Sequence, residues 1–347
     1  MQVRELVRPN ILELKAYRSA RDEVQEGVLL DANESPFPVD WRGIQLNRYP
    51  DPNQTRLREA LAAYTGTRPE QVVAGCGSDE VLDWIFKIFC QPGEDQVAVV
   101  EPTYGMYRVM AQTFGVSLVE SRLDRDQRLD AGAFLEEVPA AVKVVFLCSP
   151  NNPTGDLLET GQILKLCREW KGIVVLDEAY VEFSETPSLV DQVEVFPNLV
   201  VMRTLSKAFG RAALRLGYAV ASPLVTSFFL KVKAPYNLSS LVMRKGLEAL
   251  EGWERHRGAW RRIRRERDRL AGELAAMPGL GRVFPSQSNF VLFDCPGAGS
   301  ICRKLRETGI VVRDRSDLPG LSECIRVSVG TPEENDLFLR ELRRTLP

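Results

Sequence analysis

The sequence predicts an α/β protein: a large domain on a mostly parallel seven-stranded sheet sandwiched by helices, followed by a smaller α+β domain. Two observations predict the sheet. Seven short apolar runs punctuate the middle of the chain, and several are unbroken β-branched stretches such as Ile173-Val174-Val175-Leu176. Runs without polar alternation suit strands buried on both faces. Helix-like segments separate them, which is the rhythm of a layered α/β core. A third observation, a change of texture near residue 240, marks the smaller domain.

In chain order, the candidate strands are 71–74, 96–100, 117–120, 143–148, 172–176, 199–203 and 216–220, with helices at 79–90 and 158–170 among them. The segment 253–277 reads as a long helix with Trp253, Trp260, Ile263, Leu270, Leu274 and Met277 on one face. Arginines 255, 257, 261, 262, 264, 265, 267 and 269 crowd its other face, but Glu254, Glu266, Asp268 and Glu273 are interleaved. That mixture suits a solvated face on a packed amphipathic helix better than a nucleic-acid helix. Strands at 289–293 and 324–329 follow. The expected division is an N-terminal segment, 1–40, joining the small domain, a large domain, 41–240, and a small domain, 241–347.

Composition narrows the function. With 347 residues, 44% hydrophobic and 27% charged, the chain can bury a large core. A net charge of -2, from 45 basic and 47 acidic residues, gives no electrostatic reason to expect nucleic acid or an anionic membrane. Seven scattered cysteines without a C-x-x-C pair, and one histidine, argue against a zinc site and a disulfide framework. Most of these cysteines are expected to be small buried hydrophobes. The charged Met1–Asn10 stretch is no signal peptide, and no run of about 18 apolar residues exists, so a cytoplasmic location is expected.

Four segments carry chemistry, and each lies just beyond a candidate strand, where open α/β sheets bind ligands. In Ala74-Gly75-Cys76-Gly77-Ser78-Asp79-Glu80, glycines and a helix start favour a phosphate, although a plain capped helix explains the pattern equally well. Ser149-Pro150-Asn151-Asn152-Pro153-Thr154-Gly155 is a tight turn by composition, yet Asn152 could hydrogen-bond a ligand oxygen. In Leu176-Asp177-Glu178-Ala179-Tyr180, an acid closes a very apolar strand; burying it demands a cationic partner, such as a protonated pyridine nitrogen. Otherwise it is a helix cap. In Arg203-Thr204-Leu205-Ser206-Lys207-Ala208-Phe209-Gly210, apolar neighbours and Arg215 would lower the Lys207 pKa, as a Schiff-base lysine requires. Ser206 and Arg215 could hold a phosphate beside it.

The chain resembles the fold-type-I pyridoxal-phosphate-dependent aminotransferases of class II. The likeness rests on the ordered set Asp31-Ala32-Asn33-Glu34, Arg48-Tyr49-Pro50-Asp51-Pro52, Gly77-Ser78-Asp79-Glu80, Pro102-Thr103-Tyr104-Gly105-Met106-Tyr107, the Asn-Asn-Pro-Thr-Gly turn, Asp177 to Tyr180, Arg203 to Arg215 and Ile325-Arg326-Val327-Ser328-Val329-Gly330-Thr331. It implies pyridoxal 5'-phosphate as cofactor, held as a Schiff base on Lys207, which then serves as acid and base. It further implies that Asp177 pairs with the pyridine nitrogen, Asn152 and Tyr180 bond the ring oxygen, and Tyr104 stacks on the ring. Gly77, Ser78, Asp79, Thr204, Ser206 and Arg215 would form the phosphate cradle. Tyr49 would reach the neighbouring subunit's site, making the enzyme a homodimer.

Within that family the resemblance implies amino transfer between L-histidinol phosphate and 2-oxoglutarate, the return partners being imidazole-acetol phosphate and L-glutamate in histidine biosynthesis. Arg313 and Arg326 would take the substrate anions, and two fixed guanidinium groups suit both a phosphate and a carboxylate. Asn33, Tyr49 and Tyr17, the last within Ala16-Tyr17-Arg18-Ser19-Ala20-Arg21, complete the expected substrate site. Ser35, Cys76 and Arg211-Ala212-Ala213 depart from the family's usual wording, around the site rather than in it. The competing readings are an aromatic aminotransferase for phenylalanine or tyrosine and a threonine-phosphate decarboxylase. A ligand-sensing transcription regulator would need an added DNA-binding domain, and fewer than about 35 residues precede the first family motif.

Overall fold

The computed structural model describes residues 3–17, 27–123 and 128–346. Its centre is a seven-stranded sheet of β1 (Val72–Cys76), β2 (Gln96–Glu101), β3 (Ser117–Arg122), β4 (Val142–Cys148), β5 (Ile173–Asp177), β6 (Leu199–Thr204) and β7 (Leu216–Ala221). They lie in the order β1-β7-β6-β5-β4-β2-β3. Only β7 runs against the others.

The apolar runs are unbroken because both faces of this sheet are covered. Val145, Leu147, Val174 and Leu176 face one core, with Leu57 and Leu61 of the helix Thr55–Thr65 and Ile163 and Leu166 of the helix Thr160–Glu169. Their alternates Val144, Phe146, Ile173 and Val175 face the other, under the helices Ser78–Phe89, Met106–Phe114 and Pro223–Val232. Val3, Val7 and Ile11 join this second core, and Arg8 donates its backbone N–H to Ile88 at 2.9 Å. The start of the 1–40 segment is therefore held by the large layer, because three apolar side chains at helical spacing find cover there.

A second sheet of three antiparallel strands, β8 (Phe290–Asp294), β9 (Arg313–Asp314) and β10 (Cys324–Ser328), stands in the order β8-β10-β9. The helices Arg257–Ala275, Ala298–Glu307 and Pro332–Thr345 close over it around Leu270, Leu274, Phe293, Ile325 and Phe338. The arginine-rich segment starts with a 3-10 turn, Trp253–His256, before the helix proper. One of its arginines departs from the solvated face: Arg267 is buried, with Nη1 donating to Phe183 O at 3.3 Å and Ser288 O at 3.4 Å. It lies seven residues from Trp260, on the same helical stripe, so it is carried inward with the apolar face.

Six of the seven cysteines are buried and all are unpaired, Cys76 being the exposed one. No helix among the described residues is long and apolar enough to cross a membrane.

Candidate active site

Because β1, β4, β5 and β6 run in one direction, their carboxyl ends gather at one edge of the sheet, where β7 begins. All four motifs follow those ends. They enclose a cavity of ≈ 240 Å³ lined by Ser78, Asp79, Tyr104, Asn152, Asp177, Tyr180, Thr204, Ser206, Lys207, Arg215 and Arg326 among others.

At the floor stands Asp177, the last residue of β5 and 4% exposed. Its carboxylate accepts the Tyr107 hydroxyl at 2.9 Å and the Ala179 N–H at 3.0 Å. Burial outweighs both bonds and pushes its pKa up to about 6. Its neighbour Glu178 is turned into the protein, where it accepts the Leu189 N–H at 2.8 Å and the Ser188 hydroxyl. Only one acid of the pair therefore faces the ligand space, a sorting that follows from the alternation of side chains at a strand end.

Lys207 rises from the loop after β6 into the mouth of the cavity, its Nζ 5.7 Å from the centre of the Tyr180 ring. Lys207 is exposed to solvent at this mouth. Desolvation lowers its pKa first, then the positive charges of Arg326 and Arg215, against Asp177 and Asp79. The loop is anchored from beneath, since the Trp260 indole N–H donates to Ala208 O at 2.7 Å. Arg203, at the foot of the same loop, is buried with Glu182 at 2.7 Å and lies 5.2 Å from the Tyr64 ring. Tyr104, whose pKa is raised by burial and then by Asp79 and Asp177, donates to Asp79 Oδ1 at 3.4 Å.

The far end is built to receive an anion. Gly77, at φ +77, precedes the helix Ser78–Phe89, whose first N–H groups lack intrahelical partners. The left-handed φ of Gly77 is what favours glycine there, and the position of a Cβ would lie 2.6 Å from Arg215 Nη2. Arg215, itself left-handed at φ +52, pairs with Asp79 at 3.2 Å. The Thr204 hydroxyl is buried, accepting the Ser206 N–H at 3.1 Å and lying 3.2 Å from Leu216 O. It thereby fixes the turn that presents Ser206.

The two asparagines of the turn after β4 divide their labour. Asn151 is tied to Pro102 O at 2.8 Å and to Thr154 Oγ1 at 2.9 Å. Asn152 accepts Arg326 Nη1 on its side-chain oxygen. An arginine only donates, so the amide orientation is set and the Asn152 NH₂ is left to donate into the cavity. Gly155, at φ +87, lets the turn meet the smaller sheet: a Cβ there would lie 2.5 Å from Ser286 Oγ, and Gln287 N donates to Gly155 O at 2.6 Å.

Arg326, on β10, enters the cavity with its guanidinium 5.1 Å from the Phe290 ring. Sequence reasoning missed Arg315, which also lines the cavity; its signal was its spacing of two from Arg313. Arg313 itself is exposed and does not line this space. Tyr49, 51% exposed and stacked on Tyr236 with ring centres 4.5 Å apart, borders a separate concavity with Asn33. Tyr17 is 72% exposed, and Arg18 to Arg21 of its motif lie outside the described residues.

The family model described as aminotransferase class I and II matches residues 41–342. A histidinol-phosphate aminotransferase from Parabacteroides distasonis is 43% identical over 343 residues, 98% of each chain. Among solved structures, the histidinol-phosphate aminotransferase of Clostridium acetobutylicum superposes with a TM-score of 0.80 at 25% identity, covering 86% of this chain and 90% of that one. The Sinorhizobium meliloti enzyme of the same name, in complex with pyridoxal-5'-phosphate, gives 0.80 at 27% identity over 86% and 83%.

Proposed function

The chain belongs to the class I and II aminotransferases, and we propose that it transfers an amino group between L-histidinol phosphate and 2-oxoglutarate with pyridoxal 5'-phosphate as cofactor. The observation that carries the reading is the pairing, in one cavity, of a buried carboxylate on β5 with an amine of lowered pKa on the loop after β6. The donor set fits the cofactor. Asp177 offers a negative charge that no cation of the protein pairs with at ion-pair distance among the described residues. The Ser78 helix start, Ser206 and Arg215 offer donors to a phosphate at the opposite end.

When bound, pyridoxal phosphate supplies the aldehyde that carries the amino group and the electron-withdrawing ring that acidifies the substrate Cα. The chain supplies the rest. Asp177 would hold the ring nitrogen protonated, Asn152, through its NH₂, and Tyr180 would bond the ring oxygen, and Tyr104 would face the ring. Gly77, Ser78, Asp79, Thr204, Ser206 and Arg215 hold the phosphate. Lys207 would hold the cofactor through its amine and, when free, would carry a proton at the substrate Cα. Arg326 takes a substrate anion, with Arg313 at the edge, and Asn33, Tyr49 and Tyr17 shape the rest of the substrate site.

We also propose a homodimer in which Tyr49 enters the partner's site. Its support is the run of exposed apolar side chains Phe37, Val39, Trp41, Leu46 and Tyr49 within one stretch of chain, since grouped exposed apolar residues mark interaction surfaces. The separate core around Leu270 and Leu342 supports a small C-terminal domain, while Ala249, Leu250 and Trp260, beyond the expected boundary at 240, pack in the core of the large sheet.

Two measurements test the assignment. Histidinol phosphate and phenylalanine, each with 2-oxoglutarate, should give turnover that strongly favours the phosphate and follows ping-pong kinetics; no turnover of histidinol phosphate sinks the substrate assignment. The purified protein should be yellow and yield a cofactor-modified Lys207 peptide after borohydride reduction, whereas Lys207→Ala should yield none and retain background activity only.

A further inference from the structure

The three arginines of the smaller sheet share one face. Arg313 stands directly opposite Arg326 in the antiparallel β9–β10 pair, which puts both side chains on the same side. Arg315 is two residues further on, hence on that side too, and its N–H continues the ladder to Cys324 O at 2.8 Å. Of β9 and its continuation, only Arg315 lines the cavity beside Arg326.

The charges there are not neutralised by the chain. Among the described residues, none of Arg313, Arg315 and Arg326 has a carboxylate at ion-pair distance. Arg315 Nε is shielded from solvent without any hydrogen-bond partner. Burial and then the charges of Arg326 and Arg313 lower the Arg315 pKa, with Asp317 opposing. Grouped guanidiniums repel unless an anion lies between them, and a shielded Nε without an acceptor is an unfilled donor.

We propose that Arg315 is a substrate-binding residue, placing its guanidinium on the phosphate of the amino substrate together with Arg326. The inference rests on the histidinol-phosphate reading and deepens it. A dianionic phosphate has acceptors for two or more guanidiniums, whereas the ring of an aromatic amino acid has none. Arg315 therefore sorts phosphorylated from unphosphorylated substrates of otherwise equal shape, and Arg313, further out, contributes less.

The test compares wild-type, Arg315→Gln and Arg313→Gln holoenzymes with histidinol phosphate, with histidinol and with glutamate, and titrates inorganic phosphate into each. Losing a charged hydrogen-bond partner should raise KM for histidinol phosphate about 10- to 100-fold in Arg315→Gln. The constant for histidinol, the cofactor absorbance and the unfolding midpoint should stay as in the wild type. Inorganic phosphate should bind Arg315→Gln more weakly by a similar factor, and Arg313→Gln should lie closer to wild type. An unchanged phosphate affinity in Arg315→Gln, or an equal loss for histidinol and its phosphate, overturns the assignment. Failure of the wild type to turn over histidinol phosphate sinks the parent reading alone, since the inorganic phosphate titration still decides the role of Arg315.

Discussion

Asp177→Asn should have opposite consequences for the empty and the loaded protein. In the cofactor-free chain, burial at the end of β5 pushes the Asp177 carboxyl from 3.8 up to about 6 despite the Tyr107 and Ala179 hydrogen bonds. Between those two values the folded state binds more protons at this site than the unfolded state. Its contribution to stability therefore falls as pH rises through that window. Each decade is worth about 1.4 kcal/mol, so the ionised carboxylate costs the empty fold about 3 kcal/mol at neutral pH. Asparagine has no such dependence. It carries instead a fixed cost, about 1–3 kcal/mol, for an NH₂ with no acceptor. Urea unfolding of both cofactor-free proteins between pH 4 and 7.5 should show the wild type losing about 2.4 kcal/mol relative to the variant, the rest of the effect lying below pH 4. With cofactor bound, a ring cation cancels the cost, so the variant should bind the cofactor more weakly and lose activity on the order of 10³-fold. A stability difference that stays flat across this pH range would show that Asp177 ionises freely in the empty cavity, and the reason given for an acid at that strand end would fail.

Two further outcomes test how the site is supported. Tyr107→Phe removes a buried donor from the Asp177 carboxylate at 2.9 Å; the Asp177 pKa should rise further and kcat/KM fall about tenfold. Unchanged kinetics would mean that the hydroxyl is only packing. Glu182→Ala leaves Arg203 buried without its 2.7 Å carboxylate partner, which should cost about 3–5 kcal/mol in denaturant unfolding, while the residual folded protein keeps its cofactor. A cost under about 1 kcal/mol would refute the reading of Arg203 and Glu182 as a buried ion pair whose partners depend on each other.

The large sheet was legible because burial on both faces leaves a one-letter signature, the unbroken β-branched run. Asp177 was legible for the opposite reason: a charge closing such a run is anomalous. Lys207 and Arg215 were legible only as a set, since a lysine after a strand is ordinary. What remained hidden depends on which way a side chain faces once a second strand arrives. Two residues of β9 are too few to show a period, so Arg315 could not be told from Arg313. The Tyr107 hydroxyl reaches Asp177 across 70 positions of sequence, a contact no local pattern encodes. Arg267 was misread because arginine is assigned to solvent by type, although its helical position put it on the buried stripe.

The placement of charge around Lys207 explains why burial decides its protonation. Arg326 and Arg215 lower the amine pKa, while Asp177 and Asp79 raise it. Two cations and two anions act in opposite directions, and desolvation, the largest contribution, lowers the pKa. Each of those charges also has a partner to gain. A phosphate against Arg215 and an anion against Arg326 would remove the two cationic effects, and a ring cation against Asp177 would remove one of the anionic ones. Loading the site thus changes the opposing terms together, whereas the walls around Lys207, Tyr180 and the loop anchored by Trp260, stay in place. A lysine proposed to lose and regain a proton at this position would draw on that lowered pKa, whose first cause is desolvation and not any one neighbouring charge.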